Sequence, residues 1–185
     1  IRDEKFYDRM KDIILYKTTD DKYVTLNEYL ENAKEKNKNT VYYASNPEVQ
    51  AQYIAMFKGE GIEVLLLPYA LDSHFISFLE YKNNDVKFKR IDSSVEDTID
   101  KSAESDTELI DLFKECIGDK DLKVETASLA TSDMPAIINL SEETRRMQEM
   151  SAMLGSSMPN MPEDKKLIIN TSSDIVKEIK VGGDK

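Results

Sequence analysis

Thr40-Val-Tyr-Tyr-Ala44, Asn46-Pro-Glu-Val-Gln-Ala-Gln-Tyr-Ile-Ala-Met-Phe57 and Glu63-Val-Leu-Leu-Leu67 follow one another closely, and their order decides the fold of the first half. β-Branched and aromatic residues crowd the first segment, which predicts a strand. The second carries Pro47 at a tolerated first-turn position, then Tyr53, Ile54 and Phe57, with Gly59 and Gly61 closing the helix. The third is a continuous apolar run, the pattern of a strand buried on both faces. Strand, crossover helix and strand together predict a parallel sheet covered by helices. Working outward, Thr25-Leu-Asn-Glu28 has capping-box spacing and opens a helix to about Lys36. Asp72–Tyr81 predicts a further helix, and Val86–Ile91 an edge strand.

The second half has a different grammar. Ser102–Thr107 is polar and interrupts the apolar periodicity, so a boundary is expected there, between a first domain over 1–101 and a second over 108–185. Ser105-x-x-Glu108 has capping-box spacing ahead of Leu109, Leu112, Phe113, Cys116 and Ile117, and Gly118 ends that helix. Lys123–Leu129 and Ala136–Leu140 read as strands separated by a polar turn holding Asp133 and Pro135. Ser141 caps a helix from about Glu142 to Leu154, Lys166–Asn170 reads as a third strand, and Asp174–Val181 as a last helix. The class is α/β followed by α+β.

Composition removes several functions. The 185 residues hold 25 Lys+Arg against 36 Asp+Glu, a formal charge of −11, and nine acids against two bases fall between Ser93 and Asp119. A nucleic-acid partner needs clustered positive charge, so none is expected. One Cys and one His supply neither a disulfide framework nor a zinc site. No apolar run approaches the ~18 residues of a membrane span. The chain opens Ile-Arg-Asp-Glu without an initiator Met or a signal-peptide pattern, and is expected to be a piece of a longer, cytoplasmic protein.

Few residues suggest chemistry. His74 follows Asp72 at a helix start, where capping explains the acid better than base catalysis does, since no nucleophile stands in a recognisable setting. Cys116 falls on an apolar helix face and is expected to be a small buried hydrophobe. The turns after the two strands, Ala44-Ser-Asn-Pro47 and Pro68-Tyr-Ala-Leu71, contain no Gly, which argues against a pyrophosphate site. Asn139-Leu-Ser and Asn170-Thr-Ser match the glycosylation triplet, a match without meaning in a chain lacking secretory features. Methionine is the unusual feature. Five of the eight fall between Met147 and Met161; Met147, Met150 and Leu154 share a helical face with Met153 beside them. Met suits surfaces that accommodate varied partners, and Gly155–Pro162 has no period that would bury Met158 and Met161, so part of this stripe is expected to be exposed.

Several segments, in order, resemble the heat-shock protein 90 chaperone family of the bacterial high-temperature protein G type. They are Lys17–Leu30, Thr40-Val-Tyr-Tyr43, Gly61–Leu67 with Leu71-Asp72, Ser128–Ile138 with its Thr-x-x-Met-Pro-Ala-Ile pattern, and the Met-rich helix with Met161-Pro-Glu163. The resemblance implies that residues to about Ile91 form a small three-layer αβα subdomain ending the family's middle segment. It implies that residues from about Asp106 begin the carboxy-terminal dimerisation domain, with a small sheet and an exposed amphipathic helix. It further implies an ATP-dependent homodimer acting on non-native client proteins, with ATP and Mg bound by a domain outside this chain, and no catalytic, cofactor or metal site within it. Client contact would fall on Met147, Met150, Met153 and Leu154, with Arg146 at the first stripe position, and on His74, Phe75 and Ile76. The rival readings are an autonomous adaptor using the same Met-rich surface, and a small α/β enzyme working at the strand ends.

Overall fold

The computed structural model describes residues 4–69, 71–98, 105–119, 122–129, 131–153 and 165–182, apart from the side chains of Glu96, Gln148, Glu149, Met150, Ala152 and Met153. The chain divides into two compact units, Ile1–Asp92 and Ser93–Lys185.

The first unit runs α1 (Glu4–Met10), β1 (Tyr16–Lys17), β2 (Tyr23–Val24), α2 (Leu26–Ala33), β3 (Thr40–Ala44), α3 (Ala51–Gly59), β4 (Leu65–Leu66), α4 (Asp72–Lys82) and β5 (Lys87–Arg90). β3 lies between β4 and β5 and is parallel to both, with Tyr43 opposite Leu65 and Arg90. Its central position explains its composition, because Val41 through Ala44 are all buried. Alternation divides that burial between two faces. Val41 and Tyr43 join a cluster with Tyr29 of α2, Ile76 and Leu79 of α4, and Phe88. Tyr42 meets Phe57 of α3, ring centroids 4.9 Å apart.

Side chains satisfy the backbone where the sheet ends. Tyr29 is buried; its hydroxyl donates to the Glu63 carbonyl at 2.7 Å and accepts the Tyr42 amide at 3.1 Å, stitching β3 to the segment before β4. Burial pushes its phenol up to about 12. Thr25 and Glu28 form the expected reciprocal cap, with the Thr25 amide donating to Glu28 at 2.7 Å and the Glu28 amide to Thr25 Oγ1 at 3.2 Å. Thr18 bridges Leu65 and the Thr19 amide donates to the Val64 carbonyl, so the outer side of β4 is covered. The Phe88 amide of β5 donates to the Glu80 carboxylate at 2.8 Å. One expectation moves: residues 47–50 form a turn and α3 begins only at Ala51, because Asn46 Oδ1 collects the Glu48 and Val49 amides in a local turn.

The second unit opens with two 3-10 turns, Ile91–Ser93 (whose first two residues still belong to the first unit) and Val95–Thr98. It continues α5 (Thr107–Ile117), β6 (Lys123–Ala127), β7 (Ala136–Leu140), α6 (Glu142–Met153), β8 (Lys165–Asn170) and α7 (Asp174–Gly182). The division at Asp92 precedes the segment expected as a linker. Residues from Ser93, with Val95 buried, belong to the second unit, while residues 102–104 lie outside the described residues. The α5 cap is Asp106, one residue beyond the expected Ser105: its carboxylate accepts the Leu109 amide at 3.2 Å. Gly118 ends α5 with φ 70°, a left-handed C-cap that suits glycine.

β6 and β7 do not pair. β8 lies between them, parallel to β6 and antiparallel to β7. Leu167, Ile168 and Ile169 are consecutive and buried, as a central strand requires. Asn170, fully buried, fixes the connection between β6 and β7. Its Oδ1 accepts the Leu129 amide at 3.1 Å, and its Nδ2 donates to the carbonyls of Thr131 at 2.6 Å and Met134 at 2.8 Å.

Candidate functional site

α6 begins at a well-made cap. Ser141 Oγ accepts the Thr144 amide at 3.2 Å and Thr144 is buried, which sets the helix on its inner side. Glu142 and Arg146 pair across one turn at 2.9 Å, so the first stripe position holds a half-buried guanidinium in an ion pair. Met147 follows at 37% exposure. Met150 and Met153 lie further along α6, with Met150 at the three-residue spacing that shares a face with Met147. Their side chains, and Leu154, Met158 and Met161 altogether, lie outside the described residues.

The second predicted set sits on α4 of the first unit. His74 is exposed. Phe75 is half-buried and stacks on Tyr16 and Phe78, with centroids 6.5 and 6.4 Å away. Ile76, at 1% exposure, belongs to the core with Val41 and Phe88 and leaves the contact set, because its position turns it toward the sheet. Tyr69 and Leu71 are about three-quarters exposed, at 75% and 72%, and the sequence reading missed them. Asp72 holds this approach in place, its carboxylate accepting the Tyr69 amide at 2.8 Å. The available signal was an apolar pair in a Pro-containing loop with no period to bury it. Burial, then Tyr7 and Asp72, raise the Tyr16 phenol well above its ordinary value, so it stays neutral.

A third apolar surface was not foreseen. α5 commits Leu109 to the cluster with Val124, Leu167, Ile169 and Val176, and only partly buries Ile110 and Phe113. Its stripe is wider than that cluster. Leu112, Phe113 and Cys116 therefore line an open groove of about 500 Å³ with Ile179 and Gly182 of α7. Cys116, expected to be buried, is exposed. Asp106, the cap of α5, and Lys180 of α7 form an ion pair that joins the two helices. Lys180 and then the Leu109 amide hold the Asp106 carboxyl below the usual carboxylate range, and Asp106 raises Lys180.

The carboxyl edge of the parallel sheet is where an open α/β unit would take a nucleotide. There Gln50 Oε1 already accepts the Ser45 and Asn46 amides, each at 2.9 Å, and Asn46 accepts those of Glu48 and Val49. The amides a phosphate would need are taken by the chain's own side chains. Among the described residues no three His, Cys, Asp or Glu side chains gather for a metal, and no helix is long and apolar enough to cross a membrane.

Comparison with known proteins gives a consistent result. The family model described as Hsp90 protein matches residues 1–184. The chaperone protein HtpG of Bacteroides fragilis is 31% identical over 195 residues, covering 95% of this chain and 29% of the relative. That of Porphyromonas gingivalis is 29% identical over 203 residues, covering 98% and 29%, and that of Chlorobaculum tepidum 31% over 188, covering 93% and 29%. The chain thus spans 29% of the length of these relatives.

Proposed function

The chain belongs to the Hsp90 family, and on that premise we propose that it is the part of an ATP-driven, homodimeric, cytoplasmic chaperone that touches non-native polypeptides. In this reading the first unit is the small αβα end of the middle segment, and the second begins the carboxy-terminal domain and part of the dimer scaffold. The observation that carries it is Met147, exposed on a firmly capped α6 with Met150 and Met153 further along the same helix. His74 and Phe75, with Leu71 beside them, form the second contact set. A fully exposed apolar side chain covered by a client contributes at most about 1.5–3 kcal/mol of gross burial, and Met147, 37% exposed, proportionally less. Ordering costs of about 0.5–1.5 kcal/mol per immobilised side chain offset much of that. The net is weak, broad binding, which suits a protein that must release what it holds.

Nucleotide chemistry belongs elsewhere in the parent. In this reading ATP and Mg are held by a domain outside this chain, and the Ser45 and Asn46 amides at the end of β3, both bonded to Gln50, support that. The adaptor reading keeps the same surfaces and differs in selectivity. The separating experiment replaces Met147, Met150 and Met153 by Ser and measures binding to several unrelated unfolded polypeptides. Similar losses for all of them support the chaperone reading. Retained binding overturns the assignment to α6, and a loss confined to one sequence favours the adaptor.

A further inference from the structure

Ser93 is the first residue of the second unit, and its hydroxyl donates to Glu142 Oε2 in the first turn of α6, 49 residues along the chain. The other oxygen of that carboxylate accepts Arg146 Nε at 2.9 Å. One carboxylate thus joins the start of the unit to two turns of the helix that carries Met147. The partners are shielded, with Glu142 and Arg146 side chains only 21% and 26% exposed, so water competes weakly for these charge-assisted bonds. Ser93 itself is not free to follow the helix. Two residues on, Val95 is buried, and Thr98 Oγ1 donates to the Val95 carbonyl at 2.7 Å. On its other side Asp92 is locked within the first unit to Arg90, Oδ1 to Nε at 2.8 Å and Oδ2 to Nη2 at 3.2 Å. Ser93, anchored at the start of the second unit, therefore grips α6 from a fixed position within that unit.

We infer that Ser93, Glu142 and Arg146 form a clasp that couples the start of the second unit to the pose of α6, making Ser93 a positioning residue for client contact. This inference rests on the reading of α6 as a contact surface. Ser93 touches no client; it acts through Glu142. Releasing it leaves Ser141 and Thr144 to cap the helix but lets the first two turns shift, so the apolar face is no longer preorganised.

The test uses the whole chain with Ser93→Ala, Glu142→Ala, the double variant and Ser93→Thr. Two quantities are read: hydrogen exchange of the α6 amides, and binding of reduced, carboxymethylated α-lactalbumin as a permanently unfolded probe. Ser93→Ala should speed α6 exchange and weaken probe binding about threefold to tenfold, equivalent to about 0.7–1.4 kcal/mol. Ser93→Thr, which keeps the hydroxyl, should restore both. Adding Ser93→Ala to Glu142→Ala should change α6 exchange no further, because the two act as one unit. Unchanged α6 exchange in Ser93→Ala overturns the clasp. So does faster exchange spread equally over β8, which marks a general loss of stability. Faster α6 exchange with undiminished probe binding overturns the link to contact. If the unsubstituted chain does not bind the probe, the proposed function fails instead, and exchange alone decides the clasp.

Discussion

Replacing Asn170 by Ala is predicted to damage the second unit more than any surface change. The side chain is fully buried and makes four hydrogen bonds: Oδ1 accepts the amides of Leu129 at 3.1 Å and Ser172 at 3.0 Å, and Nδ2 donates to the carbonyls of Thr131 at 2.6 Å and Met134 at 2.8 Å. Truncation leaves two donors and two acceptors without that partner. A buried group left unsatisfied costs about 1–3 kcal/mol. Water entering the polar space left behind recovers part of this. The net loss is expected to be about 3–5 kcal/mol, and in a unit of this size ~1 kcal/mol moves the melting temperature by ~4–8 °C. Asn170→Asp separates bonding from volume: it keeps the shape and the two accepted amides, but sets an oxygen against two carbonyls. At neutral pH it should be at least as damaging as Ala. The chain has no Trp, so urea unfolding would be followed by far-UV circular dichroism, with hydrogen exchange locating the effect in residues 128–135. A loss below about 1 kcal/mol, with exchange of that connection unchanged, would refute the reasoning.

Other expectations follow from the same geometry. Ile76→Ala should cost about 2–5 kcal/mol as a core truncation, whereas His74→Ser should stay within about 0.5 kcal/mol; equal losses in thermal melts would contradict the burial assigned to each. Asp106→Ala should cost about 1 kcal/mol through the lost cap, while Asp106→Asn, also a good cap, should lose only the pairing with Lys180 and cost less than Ala at pH 7. Because the Asp106 carboxyl is lowered, its contribution is complete above about pH 4 and is lost as pH falls through the folded value. Lys180 is raised, so its contribution is complete below about pH 10.5 and is lost as pH rises through the folded value. Asp106→Asn should therefore flatten the acid limb of a melting-temperature profile, and an unchanged limb would show that the pair is not felt. Cys116 should react fully with a thiol reagent in the folded chain without denaturant; protection until unfolding would contradict its place on the α5–α7 groove.

Local rules made much of the fold legible. The β3–α3–β4 order with its parallel pairing, the Thr25–Glu28 box and the Ser141 cap depend on a few neighbouring residues, and they stand where their patterns placed them. What escaped depends on contacts distant in sequence. β8 between β6 and β7 requires Asn170 to hold a connection far upstream, and no periodicity encodes that. The start of α3 shifts because Asn46 offers the backbone an alternative to the helix. The exposed half of α5 escaped because a wide apolar stripe states that burial is wanted, not how much partner surface exists to provide it. The contact set shows the same division: helical phase places Met147 on α6, but only the three-dimensional packing separates exposed His74 from buried Ile76.

The central claim is that α6 meets unfolded polypeptide through its Met-bearing face. Its most direct test places the photocrosslinker p-benzoylphenylalanine at Met147 and, as the control, at Glu31, exposed on the polar face of α2. Reduced, carboxymethylated α-lactalbumin and the native, disulfide-intact protein would be offered in turn. The account predicts abundant adducts from position 147 with the unfolded form, few with the native form, and few from position 31 with either. Equal yields from the two positions, or none from position 147, would contradict it.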